Sequence, residues 1–329
     1  MRIGLIGAGV MGADHARLIA AGVGGARLAA VQDADRGRAE AVAALAPGAH
    51  VHDSARALID SPAVEAVLIA APDALHAELT IACIRAGKRV LVEKPLAASL
   101  AECAAVLEAE MLAGRRLVQV GFMRRFDPGY RALREVRVSG VYGLPLFLHC
   151  RHRNAVAPEY ITSETIIANS ASHELDILRF LLADEIVGAT VRSPRAARHA
   201  PGRRPLLLVL ESASGVLVDV ALYMDCGYGY DVQAELVCES GAVSLAPAPP
   251  IVRRHALEAG FALDADWRGR FAEAYRAQLA DWVRPQGAGD GSSAWDGYQV
   301  ARLAEQCLQA LRSGERVQIA PEAAPDFYR

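Results

Sequence analysis

The first residues whose spacing could do chemistry are Gly7, Gly9 and Gly12 in "RIGLIGAGVMGADH". They form G-x-G-x-x-G between an apolar run and a helical pattern, and Asp33 follows 21 residues after Gly12. That context gives each residue a task. Gly7 permits a tight turn, Gly9 lets a pyrophosphate approach the backbone, and Gly12 lets the helix sit close to the strand. Val10 and Met11 complete the turn, at a helix N-terminus that faces the phosphates. Asp33 can accept hydrogen bonds from ribose hydroxyls and repels a 2′-phosphate. The expected cofactor is therefore NAD rather than NADP.

Two further positions stand out. Of 35 Lys and Arg residues only Lys88 and Lys94 are lysine, and Lys94 lies between Glu93 and Pro95 in "VLVEKPLA". A lysine ammonium can point at one oxygen and can lose its charge on burial, whereas a guanidinium is planar and always charged. Pro95 removes a backbone donor and bends the chain at the strand end, where ligands of such sheets sit. Lys88 reads as solvated. His173, in "ANSASHELD", lies four residues after Asn169 and three before Asp176. If a helix has begun by 169, one turn places Asn169 and His173 on one face. His15 and Asp14 read as exposed positions of the first helix.

The elements that must position these residues are legible as alternating patterns. Strands are expected over 2–7, 27–32, a run ending near Ala71, 88–93 and 115–122, with helices over 9–22, 74–87 and 99–114. Strands of Val, Ile, Leu and Ala without polar alternation are buried on both faces, as in a parallel sheet covered by helices. After residue 122 the strands at 145–153, 186–193, 205–212, 215–224 and 231–240 alternate, as in a mostly antiparallel sheet. Helices are expected over 170–184 and 294–314, the second begun by Ser293 with Asp296 as its capping-box partner. The fold class is α/β. A Rossmann dinucleotide-binding domain over 1–121 precedes an α+β domain over 122–329 built on a large open sheet.

Composition narrows the function classes. The formal charge of −3 gives no basic footprint for nucleic acid. No apolar run reaches the ~18–20 residues that span a bilayer, and the N-terminus lacks the regions of a signal peptide. Six cysteines are scattered singly, with no metal-ligand spacing. No metal site is expected, and a cytoplasmic protein with reduced thiols is. The arginines of "RAARHAPGRRP" (195–205) read as a solvated hairpin end.

Glu93-Lys94-Pro95 at the end of a late strand, with an open sheet behind a nucleotide domain, resembles the glucose–fructose oxidoreductase, inositol dehydrogenase and MocA-like family. "LVQVGFMRRFDPGY" (117–130), "HCRHRN" (149–154), "YGYD" (228–231) and "AWDGY" (294–298) are similar to bacterial inositol 2-dehydrogenases. The resemblance implies an NAD-dependent oxidation of a secondary hydroxyl of a cyclitol or sugar. Lys94 would stabilise the alkoxide that develops, and His173 would take the proton. It further implies that Pro72, His76 and Glu93 lie on the cofactor side. Arg124, His152, Asn154, Tyr230 and Tyr275 would line the substrate pocket with Lys94, Asn169 and His173. The family normally has Asp four residues before the histidine, so Asn169 is a departure; a carboxylate there would raise imidazole basicity, and an amide can only orient. A homo-oligomer, dimer or tetramer, paired through the open sheet is also implied. The alternatives are a sugar dehydrogenase, an NAD-retaining glycosidase, an aminocyclitol-pathway dehydrogenase, or an NAD-binding regulator.

Overall fold

In the computed structural model, residues 1–159, 161–200, 204–245, 252–284 and 289–329 are described. They form two compact units. One comprises Met1–Phe126, Glu273–Arg302 and Ala323–Arg329; the other comprises Asp127–Ala272 and Leu303–Glu322.

The first unit begins with β1 (Arg2–Ile6), α1 (Val10–Ala20), β2 (Arg27–Gln32), α2 (Arg36–Ala43), β3 (His50–Val51) and α3 (Ala55–Asp60). It continues through β4 (Ala66–Ile69), a short turn over Asp73–Leu75, α4 (His76–Arg85), β5 (Arg89–Val92), α5 (Leu100–Ala113) and β6 (Val118–Val120). The strands lie in the order β6-β5-β4-β1-β2-β3, all parallel. Every residue of β4 is buried, as a strand covered on both faces requires. The order runs outward in both directions from β1 and β4. That places a topological switch point at the C-terminal ends of these strands, where ligands bind in open α/β sheets. No element was read in the stretch that forms α2, β3 and α3. Its helix caps, Asp35 accepting from Arg38 N and Ser54 accepting from Ala57 N, were nonetheless present as signals.

The second unit carries α6 (Pro128–Ser139), β7 (Pro145–Arg153), α7 (Ser163–Thr165), α8 (Ser172–Leu182), β8 (Ile186–Arg192), β9 (Leu206–Ser212), β10 (Leu217–Tyr223), β11 (Asp231–Cys238), β12 (Ala242–Ser244), and the hairpin β13 (Arg253–His255) and β14 (Glu258–Gly260). The chain then runs into α9 (Trp267–Trp282), β15 (Ser292–Ser293), α10 (Ala294–Ser313) and β16 (Val317–Gln318). The large sheet has the order β12-β11-β7-β10-β9-β8-β16, antiparallel except for the β7–β10 pair. Its strands alternate: Leu148, Cys150 and His152 of β7 point inward with Val218, Val220 and Leu222 of β10. Phe147, Leu207 and Leu217 on the other face are exposed.

In the first unit, Leu279, Trp282 and Val283 pack with Ile3, Leu5 and Leu28 in one core. β15 pairs antiparallel with β6, and Ser293 and Asp296 exchange hydrogen bonds as the capping box predicts. The helices α6 and α9 were not expected from the sequence. In the basic loop, residues 201–203 lie outside the described residues. No helix among the described residues is long and apolar enough to cross a membrane.

Candidate active site

The glycine turn is built as its spacing requires. Gly7 has φ +94°, and a Cβ on it would come within 2.3 Å of the Ala70 carbonyl oxygen. A Cβ on Gly12 would lie 1.9 Å from the Gly7 oxygen. A Cβ on Gly9 would meet nothing within 4 Å, so the backbone there is open to a ligand. α1 starts at Val10 with no side-chain cap, leaving its first N–H groups for an anion. Val10 is exposed and Met11 half-buried at this opening. Ala8 N donates to Asp33 Oδ2 at 2.6 Å, and Asp35 N donates to Oδ1 at 2.8 Å. Two backbone bonds thus fix a carboxylate at the end of β2 and leave lone pairs for ribose hydroxyls. These residues fit NAD.

At the ends of β4 and β5 the structure revises several expectations. Pro72 is exposed and opens the turn before α4. His76, expected on the cofactor side, is 1% exposed, with Nδ1 2.6 Å from the Pro95 oxygen and Nε2 2.9 Å from the Ala71 oxygen. Both nitrogens are taken by protein carbonyls, so the ring ties the loop after β4 to the turn that carries Lys94. Glu93 is likewise buried. His15 Nε2 lies 2.6 Å from its Oε1, and Lys94 N donates to its Oε2 at 3.2 Å. A side chain on Gly121 would collide with Glu93, its Cβ 2.9 Å from Oε2. His15, expected to be exposed, is buried, and the Tyr275 ring meets it edge-on at 5.7 Å. Tyr275 therefore packs on His15 within the first unit. Lys94 is half-buried directly beyond β5. Lys88 is not a free surface cation: its Nζ donates to the Ser61 and Val64 carbonyls at 2.7 and 2.8 Å. Arg124 is buried in the turn Met123–Phe126.

In the second unit, His152 is the penultimate residue of β7 and Asn154 follows its end. His152 Nδ1 is 3.1 Å from Glu174 Oε1, and both side chains are buried. That contact selects the tautomer with its proton on Nδ1. Tyr230 meets the His152 ring edge-on at 5.9 Å. Asn154 N donates to the Tyr223 oxygen and its oxygen accepts from Cys226 N, while Oδ1 has no hydrogen-bond partner among the described residues. Asn169 lies in a π turn, Ile166–Ser170, closed by Ala171 N donating to the Ile166 oxygen at 2.8 Å. Ser172 Oγ donates to the Asn169 oxygen at 2.6 Å. The helix has indeed begun by 169, as a wide turn of a kind that recurs at functional sites. His173 follows on the first turn of α8. Glu174 was missed, since its partner is 22 residues away on a strand and no local pattern links the two. Among the described residues no cluster of His, Cys, Asp or Glu is arranged to hold a metal.

Comparison with known proteins shows the family of the chain. Residues 1–122 match the model of an oxidoreductase family with an NAD-binding Rossmann fold, and residues 130–244 match the GFO/IDH/MocA C-terminal domain. Inositol 2-dehydrogenase 1 of Saccharopolyspora erythraea is 48% identical, with 100% of this chain and 99% of that protein covered. Inositol 2-dehydrogenase of Ralstonia nicotianae is 41% identical, with 100% and 99% covered. The crystal structure of myo-inositol dehydrogenase from Lactobacillus casei, in complex with NAD(H) and myo-inositol, superposes with TM-score 0.94. It is 30% identical, with 100% of this chain and 99% of that one covered.

Proposed function

The chain belongs to the GFO/IDH/MocA family of NAD-binding oxidoreductases, and on that premise we propose that it is an inositol 2-dehydrogenase. It oxidises a secondary hydroxyl of a myo-inositol-like cyclitol to the ketone, or reduces the ketone. The observation that carries this reading is the placement of Lys94 immediately past β5, in the same unit as a glycine turn left open at Gly9 and a fixed Asp33.

NAD, when bound, supplies the hydride acceptor. The chain's residues supply the rest. The Lys94 ammonium faces the alcohol oxygen and stabilises the negative charge that grows there as the C–H bond breaks. His173 takes the hydroxyl proton, with Asn169 as its hydrogen-bonding neighbour. His152, Asn154, Tyr230 and Arg124 answer the remaining hydroxyls of the ring. Asn154 Oδ1, which has no protein partner among the described residues, suits a hydroxyl donor. An unmatched buried polar group is costly, so a ring with a missing or inverted hydroxyl binds worse. Tyr275, edge-on to His15, is the further candidate for the pocket wall, and His76 steadies the turn that carries Lys94.

We place the protein in the cytoplasm: the six cysteines form no disulfide among the described residues, and burial pushes Cys83 and Cys307 up to about 12, which suits reduced, inert thiols. The partner is a second copy of the chain, giving a dimer or tetramer through the open face of the large sheet, where Phe147, Leu207 and Leu217 are exposed. The test is NADH formation with a panel of myo-, scyllo- and chiro-inositol and glucose, using NAD and NADP in parallel. Steady release of NADH with an inositol supports the reading. Turnover with glucose alone, or product cleavage without net NADH, contradicts it. Light scattering that shows a monomer contradicts the assembly.

A further inference from the structure

His152 and Glu174 meet inside the second unit, with His152 Nδ1 3.1 Å from Oε1 and 3.2 Å from Oε2 of the carboxyl group. Both side chains are buried. The residues paired with His152 on the neighbouring strands are Leu222 of β10 and Val232 of β11, both buried and apolar. Tyr230 meets the ring edge-on at 5.9 Å and is itself met edge-on by Phe271 at 6.2 Å, so aromatic packing supports the ring from the side. Glu174 lies in the first turn of α8, where the helix dipole favours a carboxylate over a carboxylic acid. A carboxylate has only acceptor atoms, so the hydrogen of this contact belongs to Nδ1. That holds whether the ring is neutral or charged.

We infer that Glu174 is a positioning residue for substrate recognition: by engaging Nδ1 it fixes the His152 ring and leaves Nε2 as the nitrogen that addresses a substrate hydroxyl. The inference rests on the functional reading above, in which His152 answers a hydroxyl of the ring. A neutral imidazole with its proton on Nδ1 presents Nε2 as an acceptor. Asn154 Oδ1, two residues on, is a second acceptor without a partner among the described residues. Two acceptors at one strand end suit a substrate that offers two neighbouring hydroxyl donors, as a cyclitol does. His173 precedes Glu174 on the same turn of α8, so one turn carries both the proton acceptor and the brace on His152. Without Glu174 the buried Nδ1–H loses its acceptor, and the ring turns over or moves its proton to Nε2. The substrate hydroxyl then meets a donor where it needs an acceptor. The loss falls on substrate binding, because Lys94 and the glycine turn are unchanged.

Nitrogen NMR of the imidazoles reads the place of the proton directly, and His152→Asn identifies the His152 signal by its loss among the nine histidines. In a pH series on the wild type, the neutral His152 ring at the alkaline end carries its proton on Nδ1. In Glu174→Leu the neutral ring carries it on Nε2, the form that free histidine prefers. Glu174→Gln, whose amide oxygen can still accept from Nδ1, keeps the wild-type form. With myo-inositol, KM rises about tenfold or more in Glu174→Leu, kcat changes less than KM, and NAD binding is unchanged. Glu174→Gln stays within about threefold of the wild-type KM. A wild-type neutral ring with its proton on Nε2 overturns the inference. So does a Glu174→Leu protein that keeps the Nδ1 proton or the wild-type KM. If the Leu variant does not fold, the wild-type tautomer decides, together with Glu174→Gln: a proton on Nε2 in either protein overturns the inference. The NMR series needs no substrate. A wild type that releases no NADH with any cyclitol defeats the functional reading, while the tautomer still decides whether Glu174 fixes His152.

Discussion

Ala8 and Asp33 are joined by a 2.6 Å hydrogen bond from the Ala8 backbone N–H to Oδ2, which locks the glycine turn to the end of β2. On the proposed function, the bond fixes the carboxylate that stands beside the adenosine ribose and so decides which cofactor enters. Two unit charges 4 Å apart interact by about 4 kcal/mol at an effective dielectric of ~20. NAD is therefore preferred over NADP by about 100-fold or more in kcat/KM. Asp33→Ser narrows the ratio at least tenfold, chiefly by admitting NADP. Steady-state kinetics with both cofactors checks this, and equal kcat/KM in the unmodified protein contradicts it.

A second prediction concerns stability at the far edge of the same unit. Glu110 is buried on α5 and accepts from Leu117 N and Val118 N at 2.5 and 2.6 Å and from the Tyr328 hydroxyl at 2.6 Å. Burial raises its carboxyl, and these hydrogen bonds only partly offset that. A raised carboxyl folds best protonated. Its contribution is full below the ordinary carboxylate range and wanes as pH rises through the folded value. Tyr328→Phe removes a donor that stabilises the ionised form, so it costs about 1–2 kcal/mol at neutral pH. The loss is smaller near about pH 5 than near about pH 8. Urea unfolding at the two values checks the slope, and a pH-independent loss contradicts it.

These examples show what the sequence could and could not carry. Gly7, Gly9, Gly12 and Asp33 were legible because their tasks are local: a positive φ, a close approach, a strand end. The alternation of β7 to β11 was legible for the same reason. His15 and Lys88 were misread as solvated. Their partners, Glu93 for one and the Ser61 and Val64 carbonyls for the other, lie 78 and 24 to 27 residues away, and only the folded sheet brings them together. For Glu93 and His76, expected on the cofactor side, the contacts that hold them within the protein were not legible either, because their partners His15, Ala71 and Pro95 meet them only in the folded sheet. The helix α6 had its signals, Asp127 as cap, Pro128 in the first turn and Gly140 at φ +64°. Only Tyr130 and Leu133 of it are buried, which leaves little apolar stripe to read. The π turn at Asn169 leaves no signature in residue types.

Asn169 supplies a third prediction. Asn169→Asp puts a carboxylate one turn from His173 and raises the basicity of that imidazole. The acidic limb of kcat/KM on myo-inositol then moves to higher pH by about one unit. Kinetics across the acid range of both proteins checks it, and coincident limbs would show that residue 169 does not address the proton acceptor.

The most direct test of the account is Lys94→Arg, which keeps the charge and loses the compact ammonium that can address one oxygen. NADH formation with myo-inositol is followed beside NAD binding measured on the same samples. The account predicts that kcat falls at least ~100-fold, the scale for one positioned donor at a developing oxyanion, while NAD binding is little changed. Near-normal turnover in Lys94→Arg would contradict it.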